Sequence, residues 1–293
     1  RRRLALRAAG SLKREQRIRG RVLRGIALNR QPGFHFPGNF LDISFDQIGR
    51  DASHLSVGPG PWCADANGEI DLGSLAILAD LALAACMRAH LGRATRLATV
   101  SMNLQITCAP RTGRLAATGR FQGFIRHGAG RLGMSRVSVE GKAGLLCFGS
   151  GTFIALDPPR DVTLHPVPLR THESPEPRRL MEKDLGKKET EILRRADAAL
   201  AADGAFIERF WGYRPHRSKS GAECTLQSGL HIGNRVGHAQ GGILLAVAAA
   251  TAGATRELED RPSRPPHRGG PHAHRRPQPA PGARSRDYAL RGR

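Results

Sequence analysis

The feature that most constrains the fold is a run of residues that is apolar on every side. Residues 73–88 read GSLAILADLALAACMR, and Asp80 is the only charged residue before the final Arg88. Leu and Ala are good helix formers, so we predict a helix here. A helix that is apolar all round has no face to present to water and is buried. The rest of the domain must therefore surround this helix.

Four strand-like segments follow the helix, and turns rich in glycine separate them. They lie near residues 95–109, 114–127, 131–141 and 145–157, and they carry β-branched or alternating apolar residues. A sheet that wraps one long helix accounts for both observations. We therefore predict an α+β fold of the hotdog type, an antiparallel sheet around a long central helix, with a first hotdog domain at residues 31–157.

A short internal repeat precedes a second apolar helix. Residues 65–73 (DANGEIDLG) align with residues 234–242 (NRVGHAQGG) at a constant offset, and the glycines coincide twice. The second copy runs into an Ala-rich helical stretch at residues 241–254. No strands like those after the first helix follow it. We predict two tandem repeats, of which the second is an incomplete hotdog domain at residues 179–256.

The two ends of the chain differ from its middle in charge. Of the net charge of +21, +10 lies in residues 1–30, which we predict to be a basic extension. Residues 158–178 read as a linker rich in Pro, Arg and His, and residues 257–293 as a disordered tail rich in Arg and Pro. Aromatic residues that could stack on bases are nearly absent beside the basic runs, which argues against nucleic-acid binding.

Composition indicates the compartment and the cofactors. The five cysteines form no Cys-x-x-Cys pair, which favours a reduced, cytoplasmic protein without disulfides or zinc. No apolar run approaches the length of a membrane span. His267, His272 and His274 lie in the predicted tail, so we expect no metal site.

Asp80 is the first candidate for a catalytic residue. A carboxylate in an apolar helix costs free energy unless it is solvated, paired or used. A structural role, with Asp80 bonded to a strand backbone or to a partner subunit, accounts for its position equally well from the residues alone.

The first repeat resembles the hotdog acyl-CoA thioesterases of the phenylacetate-degradation and 4-hydroxybenzoyl-CoA type over about residues 40–157. In that family a His-Gly-Gly-like motif opens the central helix, and an acidic residue follows nine positions after the His. Here Asp71 stands at the His position and Asp80 lies nine residues further on. Strands of the family are matched by residues 98–106, 113–119 and 145–153.

The second copy has the complementary pattern. Gln240-Gly241-Gly242 is close to the family motif, but Ala249 stands where the acid belongs. In two-subunit members of the family, the helix acid of one copy faces the glycine turn of the other. The resemblance therefore implies a composite catalytic site, made of Asp80 from the first copy and of Asn234, Gln240 and Gly241 from the second.

The implied reaction is hydrolysis of an acyl-CoA thioester to the free acid and CoA. The N–H of Gly241, at a helix N-terminus, would hold the oxyanion. Asp80 would act as a base toward water or as a nucleophile, and Asn234 or Gln240 would orient the water or the carbonyl. The resemblance implies neither metal nor other cofactor. The predicted substrate-binding residues are Gly73, Gly242 and Arg131.

Two alternative functions stay open. The first is a non-catalytic acyl-CoA-binding protein or an inactive remnant of a truncated thioesterase, because the second repeat lacks its strands and residues 71–73 depart from the family motif. The second is a basic nucleic-acid-binding protein. A homodimer would cover the second helix in any of these cases.

Overall fold

The computed structural model describes residues 2–127, 130–160, 162–218 and 221–259. Side chains are described for residues 10–126 and for most of the chain up to residue 256. The predicted tail from residue 260 onward and the side chain of Arg131 lie outside this part.

The helices and strands form two series of unequal length along the chain. The first contains α1 (Arg2–Asn29), α2 (Phe36–Leu41), β1 (Ser44–Ile48), β2 (Ala52–Val57), α3 (Leu72–Leu91), β3 (Arg96–Ile106), β4 (Leu115–His127), β5 (Gly130–Gly141) and β6 (Gly144–Leu156). The second contains α4 (Lys187–Ala201), α5 (Phe206–Trp211), β7 (His216–Ser218), β8 (Gly221–Glu223) and α6 (Gly241–Glu259). Short 3-10 turns lie at Glu182–Asp184 and Leu230–Ile232.

One antiparallel sheet wraps helix α3. Its six strands lie in the order β1-β2-β4-β5-β6-β3, and α3 contacts all of them. A Cβ on Gly119 of β4 would collide with the backbone of Ala82, so glycine lets the strand lie directly on the helix. The prediction of a mixed α+β fold with a large antiparallel sheet is confirmed, and β3 to β6 occupy the four predicted strand segments.

Helix α3 is the centre of the hydrophobic core. Leu72–Leu91 is long and apolar enough to cross a membrane by length and composition alone, but 89% of that stretch is buried inside the protein. The sheet, α2 and α6 supply the covering surface. Its apolar character is therefore explained by burial within the fold.

Residues 36–57 form helix α2 followed by the β1–β2 hairpin. All six residues of α2 are buried. Phe36 and Phe40 pack against Phe210 of α5, with ring centroids 6.2 Å and 4.8 Å away.

The predicted basic extension and linker are both packed on the rest of the chain. Ile18, Val22 and Ile26 follow one side of α1 and are buried. In the segment 158–178, the carbonyl of Arg170 accepts a hydrogen bond from the N–H of Phe45. These contacts join both segments to the same core as α3.

Helix α6 packs on α3 but is less covered. Its far face is open, and Leu244 is 50% exposed. Within the described residues, which end at residue 259, no strand follows α6. The sheet that encloses α3 therefore has no counterpart around α6 in this part of the chain.

Candidate active site

Close helix packing brings the start of α6 to the middle of α3. A Cβ on Gly242 would lie 2.5 Å from the backbone nitrogen of Ile77, so only glycine permits this approach. On the other side of the crossing, a Cβ on Gly73 would lie 3.3 Å from the Cβ of Ala246. The crossing places the turn before α6 beside the one acidic residue of α3.

Asp80 is buried at this crossing, with 6% of its surface exposed. The hydroxyl of Thr99 in β3 donates a hydrogen bond of 2.9 Å to its Oδ1. The side-chain amide of Gln240 donates one of 2.6 Å to its Oδ2. Both carboxylate oxygens are thus held by groups from two other elements, which fixes the orientation of the side chain.

Gln240 is itself held from both ends. Its Oε1 accepts a hydrogen bond of 3.0 Å from the N–H of Ile243 in the first turn of α6. Its own N–H donates to the carbonyl of Ile232. Because the N–H of Ile243 bonds to Oε1, the Nε2 group of Gln240 is directed to Asp80. Gln240 thereby fixes the position of the Asp80 carboxylate relative to the start of α6.

Gly241 is the first residue of α6 and lies against the carboxylate. A Cβ at this position would lie 2.9 Å from Asp80 Oδ1 and 2.6 Å from Thr99 Oγ1. Across the described chain, the N–H groups of Gly241 and Gly242 have no hydrogen-bond acceptor. The N-terminal amides of a 19-residue helix are therefore free beside a buried acid, a favourable place for negative charge.

The burial of Asp80 changes its acidity. Desolvation raises the pKa of its carboxyl to about 6, and the hydrogen bond from Thr99 and the charge of Arg88 oppose this rise. The group is mostly ionised at neutral pH yet basic enough to accept a proton.

A cavity of about 290 Å³ opens at Asp80. Gly241, Gln240 and Thr99 line it together with Asp80, and Arg88 also lines it. Its apolar walls are formed by Phe34, Phe45, Leu81, Ala84, Leu97, Phe153, Leu164 and Val167. The cavity combines an apolar interior with a few directed polar groups, as ligand sites do.

Three of the four predicted catalytic residues, Asp80, Gln240 and Gly241, meet at this point. Asn234 lines the same cavity, but its Oδ1 accepts hydrogen bonds from the N–H groups of Val236 and His238. It shapes the turn before α6, so its side-chain oxygen is not free to orient water.

The predicted substrate-binding glycines lie elsewhere. Gly242 packs on the backbone of α3, and Gly73 lines a second cavity of about 330 Å³ on the opposite side of the crossing. Arg131 belongs to β5, and its side chain is outside the described part.

Thr99 and Arg88 are site residues that the sequence interpretation missed. No spacing rule connects Thr99 to Asp80, because their contact depends on where the edge strand β3 meets the helix. Arg88 lies eight residues after Asp80, and Ala84 lies between them on the same helical face. That spacing is a signal that could have identified Arg88.

The turns before α3 and α6 have the same backbone structure. An antiparallel bridge joins Ala64 to Ile70 in one and Gly233 to Ala239 in the other, each 169 residues apart. Asp65 Oδ1 accepts from the N–H groups two and four residues on, as Asn234 Oδ1 does. The glycines at the tips, Gly68 and Gly237, have φ of 80° and 83°.

The residue that caps each helix differs. Asp71 accepts hydrogen bonds from the N–H groups of Gly73 and Ser74, from the Ser74 hydroxyl and from the phenol of Tyr213. The side chain of Gln240, at the corresponding place, accepts a hydrogen bond from the N–H of Ile243 and donates one to Asp80. The capping residue before α3 therefore bonds to its own helix, whereas the capping residue before α6 also bonds to α3.

Comparisons with known proteins give structural similarities of limited extent. No protein-family model and no curated protein matches the sequence. A mutant of the phenylacetic acid degradation protein PaaI from Thermus thermophilus is 19% identical, covers 41% of this chain and 97% of its own, and has a TM-score of 0.36. A mutant of a Staphylococcus aureus thioesterase is 17% identical, with 41% and 98% covered and a TM-score of 0.36. A thioesterase from Haemophilus influenzae is 16% identical, with 40% and 80% covered and a TM-score of 0.34.

Proposed function

We propose that this chain hydrolyses acyl-CoA thioesters at one composite site. The observation that carries the proposal is the contact of Asp80 in α3 with Gln240 and Gly241 at the start of α6, 160 residues away in sequence. The sequence resemblance implied this meeting of a helix acid with a glycine turn. Neither a cofactor nor a metal takes part in the proposed reaction.

Asp80 begins the reaction as a base in the proposed mechanism. Its carboxylate takes a proton from a water molecule while the water oxygen attacks the thioester carbonyl carbon. The tetrahedral intermediate then expels the CoA thiolate by breaking the C–S bond, and the proton passes to the sulfur. Direct attack by Asp80 on the carbonyl, which forms an anhydride, uses the same residue and the same oxyanion.

The free amides at the start of α6 stabilise the developing charge in this scheme. When the carbonyl is attacked, its oxygen becomes negative, and the N–H group of Gly241, which lines the cavity, has no acceptor in the described chain. Fixed donors in a site without bulk water lower the barrier more than water would. The positive end of α6 adds to the effect.

We further propose that the site arose by tandem duplication. The six-residue helices α2 and α5 correspond at an offset of 170, with Phe36 and Phe40 matching Phe206 and Phe210. Each ends at a residue in the left-handed region, Asp42 or Gly212. A strand hairpin, a turn closed by a matching antiparallel bridge and an apolar helix follow in both copies. Within the described residues, which end at residue 259, no strand follows α6.

The second candidate function is an acyl-CoA-binding protein without activity. The open face of α6 with Leu244 is the specific observation in its favour. In this case the cavity would still bind the thioester, but Asp80 would only hold Gln240.

The test is the release of CoA from short, long and aromatic acyl-CoAs, followed with a thiol reagent. We expect turnover by the wild type and a loss of at least ~1000-fold in kcat for Asp80→Asn. A folded wild-type protein that binds acyl-CoA without releasing CoA would establish the second candidate. Turnover that survives in Asp80→Asn would show that the reaction occurs at another site.

A further inference from the structure

Arg88 is a buried cation in the proposed acyl cavity, and it has no side-chain partner among the described residues. Its exposed fraction is 9%, and it lines the cavity wall. Its Nε has no hydrogen-bond partner, and no described residue forms an ion pair or side-chain hydrogen bond with its guanidinium. A buried guanidinium without a partner is strongly unfavourable, so its presence calls for a ligand.

The other two arginines of the cavity are already engaged. Arg235 donates to the backbone carbonyls of Ala94 and His165, at 3.2 Å and 2.6 Å. Arg96 donates to the carbonyl of Asp157 at 3.0 Å. Both hold loops in place, which leaves Arg88 as the cation available to a bound molecule.

The charges that line the cavity do not balance. Among the described residues that line the cavity, three arginines and one carboxylate, Asp80, carry charge, and His35 also lines it. Burial, together with the charges of Arg88 and Arg235, lowers the pKa of His35 to about 3, so it is neutral at pH 7. The end of the cavity at Arg88 is therefore electropositive, and Arg88 itself is buried.

Asp80, Ala84 and Arg88 occupy one face of α3. The eight residues between the two charges correspond to a rise of about 12 Å, and the arginine side chain leans back toward the helix N-terminus. Asp80 and Arg88 form no salt bridge, although each shifts the pKa of the other. The small side chain of Ala84 leaves space between them, so the cavity holds a chain of several atoms.

We infer that the thioester substrate carries a carboxylate at the far end of its acyl group, and that Arg88 binds this carboxylate while the thioester lies at Asp80. The inference rests on the proposed function and adds a substrate class to it. The apolar walls fit the methylene groups between the two ends. A guanidinium is suited to this role because it binds a carboxylate with two parallel hydrogen bonds.

The experiment compares acyl-CoAs matched in length that differ in the terminal group. kcat/KM is measured for succinyl-, glutaryl- and adipyl-CoA beside butanoyl-, pentanoyl- and hexanoyl-CoA. We expect at least one carboxylated substrate to exceed its neutral match by about 10-fold or more. Preference for every neutral substrate would overturn the inference and leave the thioesterase proposal intact.

Variants of Arg88 test whether this residue causes the preference for carboxylated substrates. In Arg88→Gln the ratio of carboxylated to neutral kcat/KM should fall by ~10- to 100-fold, and Arg88→Lys should recover part of it. Arg96→Gln removes another arginine of the same cavity and should change the ratio by less than about threefold. An unchanged ratio in Arg88→Gln would contradict the role of Arg88. If Arg88→Gln does not fold, the wild-type ratios alone decide.

A binding measurement separates this inference from the proposed function. Calorimetry with the wild type and Arg88→Gln uses glutarate, pentanoate, inorganic phosphate and CoA alone. Binding of glutarate that requires Arg88 supports the inference even if no acyl-CoA is hydrolysed. If CoA or phosphate binding requires Arg88 and glutarate does not bind, the anion is a phosphate of the carrier, and the inference is wrong.

Discussion

The two turn–helix junctions of this protein share a backbone and differ in what their caps contact. At α3, Asp71 binds the N–H groups of Gly73 and Ser74 and the phenol of Tyr213, so the cap is complete within a structural cluster. At α6, the Oε1 of Gln240 accepts a hydrogen bond from the N–H of Ile243, and its Nε2 donates one to Asp80. The exchange of an acid for an amide at one position thus converts a helix cap into a contact between two helices.

The sheet explains why only one of the two apolar helices has a buried acid in its middle. α3 is enclosed, so Asp80 is desolvated and its pKa rises to about 6. α6 is open, and Ala249, which corresponds to Asp80, is exposed. An acid on the open helix would be solvated and would titrate near its ordinary pKa. Duplication of a helix is therefore not enough for a second site, because the surrounding sheet sets the acidity.

The first prediction is that Gln240→Asp strongly impairs catalysis at the α6 junction. The shorter acid would cap α6 as Asp71 caps α3, and it would place a second carboxylate beside Asp80. The new carboxylate would raise the pKa of Asp80 by charge repulsion. It would also accept hydrogen bonds from N–H groups at the start of α6, which would then no longer be available to the oxyanion. We expect kcat for CoA release to fall by ~100- to 1000-fold and its pH midpoint to rise. Activity within threefold of wild type would show that the cap identity is unimportant.

The second prediction contrasts the two glycines next to the caps. In Gly241→Ala the new methyl group would press on Asp80 and Thr99, so we expect a ~10- to 100-fold loss of kcat. In Gly73→Ala it would lie 2.7 Å from the Tyr213 hydroxyl, so the loss should be in thermal stability. Rates are measured at equal concentrations of folded protein. A larger loss of kcat in Gly73→Ala than in Gly241→Ala would reverse the assignment.

The third prediction concerns pH. Since Asp80 must be ionised, kcat/KM should rise with pH through a midpoint near 6. The Thr99 hydroxyl lowers this pKa, so Thr99→Val should move the midpoint upward and slow the reaction most below pH 7. Ser101→Ala removes a hydroxyl from the same strand that contacts Thr152 instead, and it should leave the midpoint in place. A downward shift in Thr99→Val would contradict the assignment.

The fourth and smallest effect is on stability. Because the folded pKa of Asp80 lies above its unfolded value, the folded state binds more protons, and its contribution to stability falls as pH rises from about 4 to 6. Asp80→Asn can still form hydrogen bonds with Thr99 and Gln240, but it cannot ionise, so this loss of stability over that pH range does not occur. We expect the variant to be more stable at pH 7, on the order of 2 kcal/mol, by urea denaturation. Equal slopes of stability against pH in both proteins would contradict a buried, ionised Asp80.

Much of the fold could be predicted because local patterns agree with the tertiary structure. The all-apolar α3 and the four glycine-separated strands have only one economical arrangement, a sheet around a helix. The repeated turn was visible because Gly68 and Gly237 each adopt a positive φ that few other residues accept. The meeting of Asp80 with Gln240 and Gly241 could be anticipated from the resemblance.

The rest depends on packing that sequence patterns do not encode. The helices α2 and α5 have six residues each and are stabilised by a shared aromatic cluster rather than by helix propensity. The apolar side of α1 was not recognised because arginine is the most frequent residue in that segment. Thr99 reaches Asp80 through strand placement. The spacing of Arg88 from Asp80 places it on the same helical face but does not show that no described residue pairs with it.

The most direct test of the account compares Asp80→Asn with Asp71→Asn in one CoA-release assay, with the folded fraction measured for each. The account predicts that Asp80→Asn is folded and loses at least ~1000-fold in kcat. Asp71→Asn should lose about 1–3 kcal/mol of stability, because its cap is broken, and keep kcat within about fivefold per folded molecule. The opposite pattern, an active Asp80→Asn and an inactive but folded Asp71→Asn, would contradict the account.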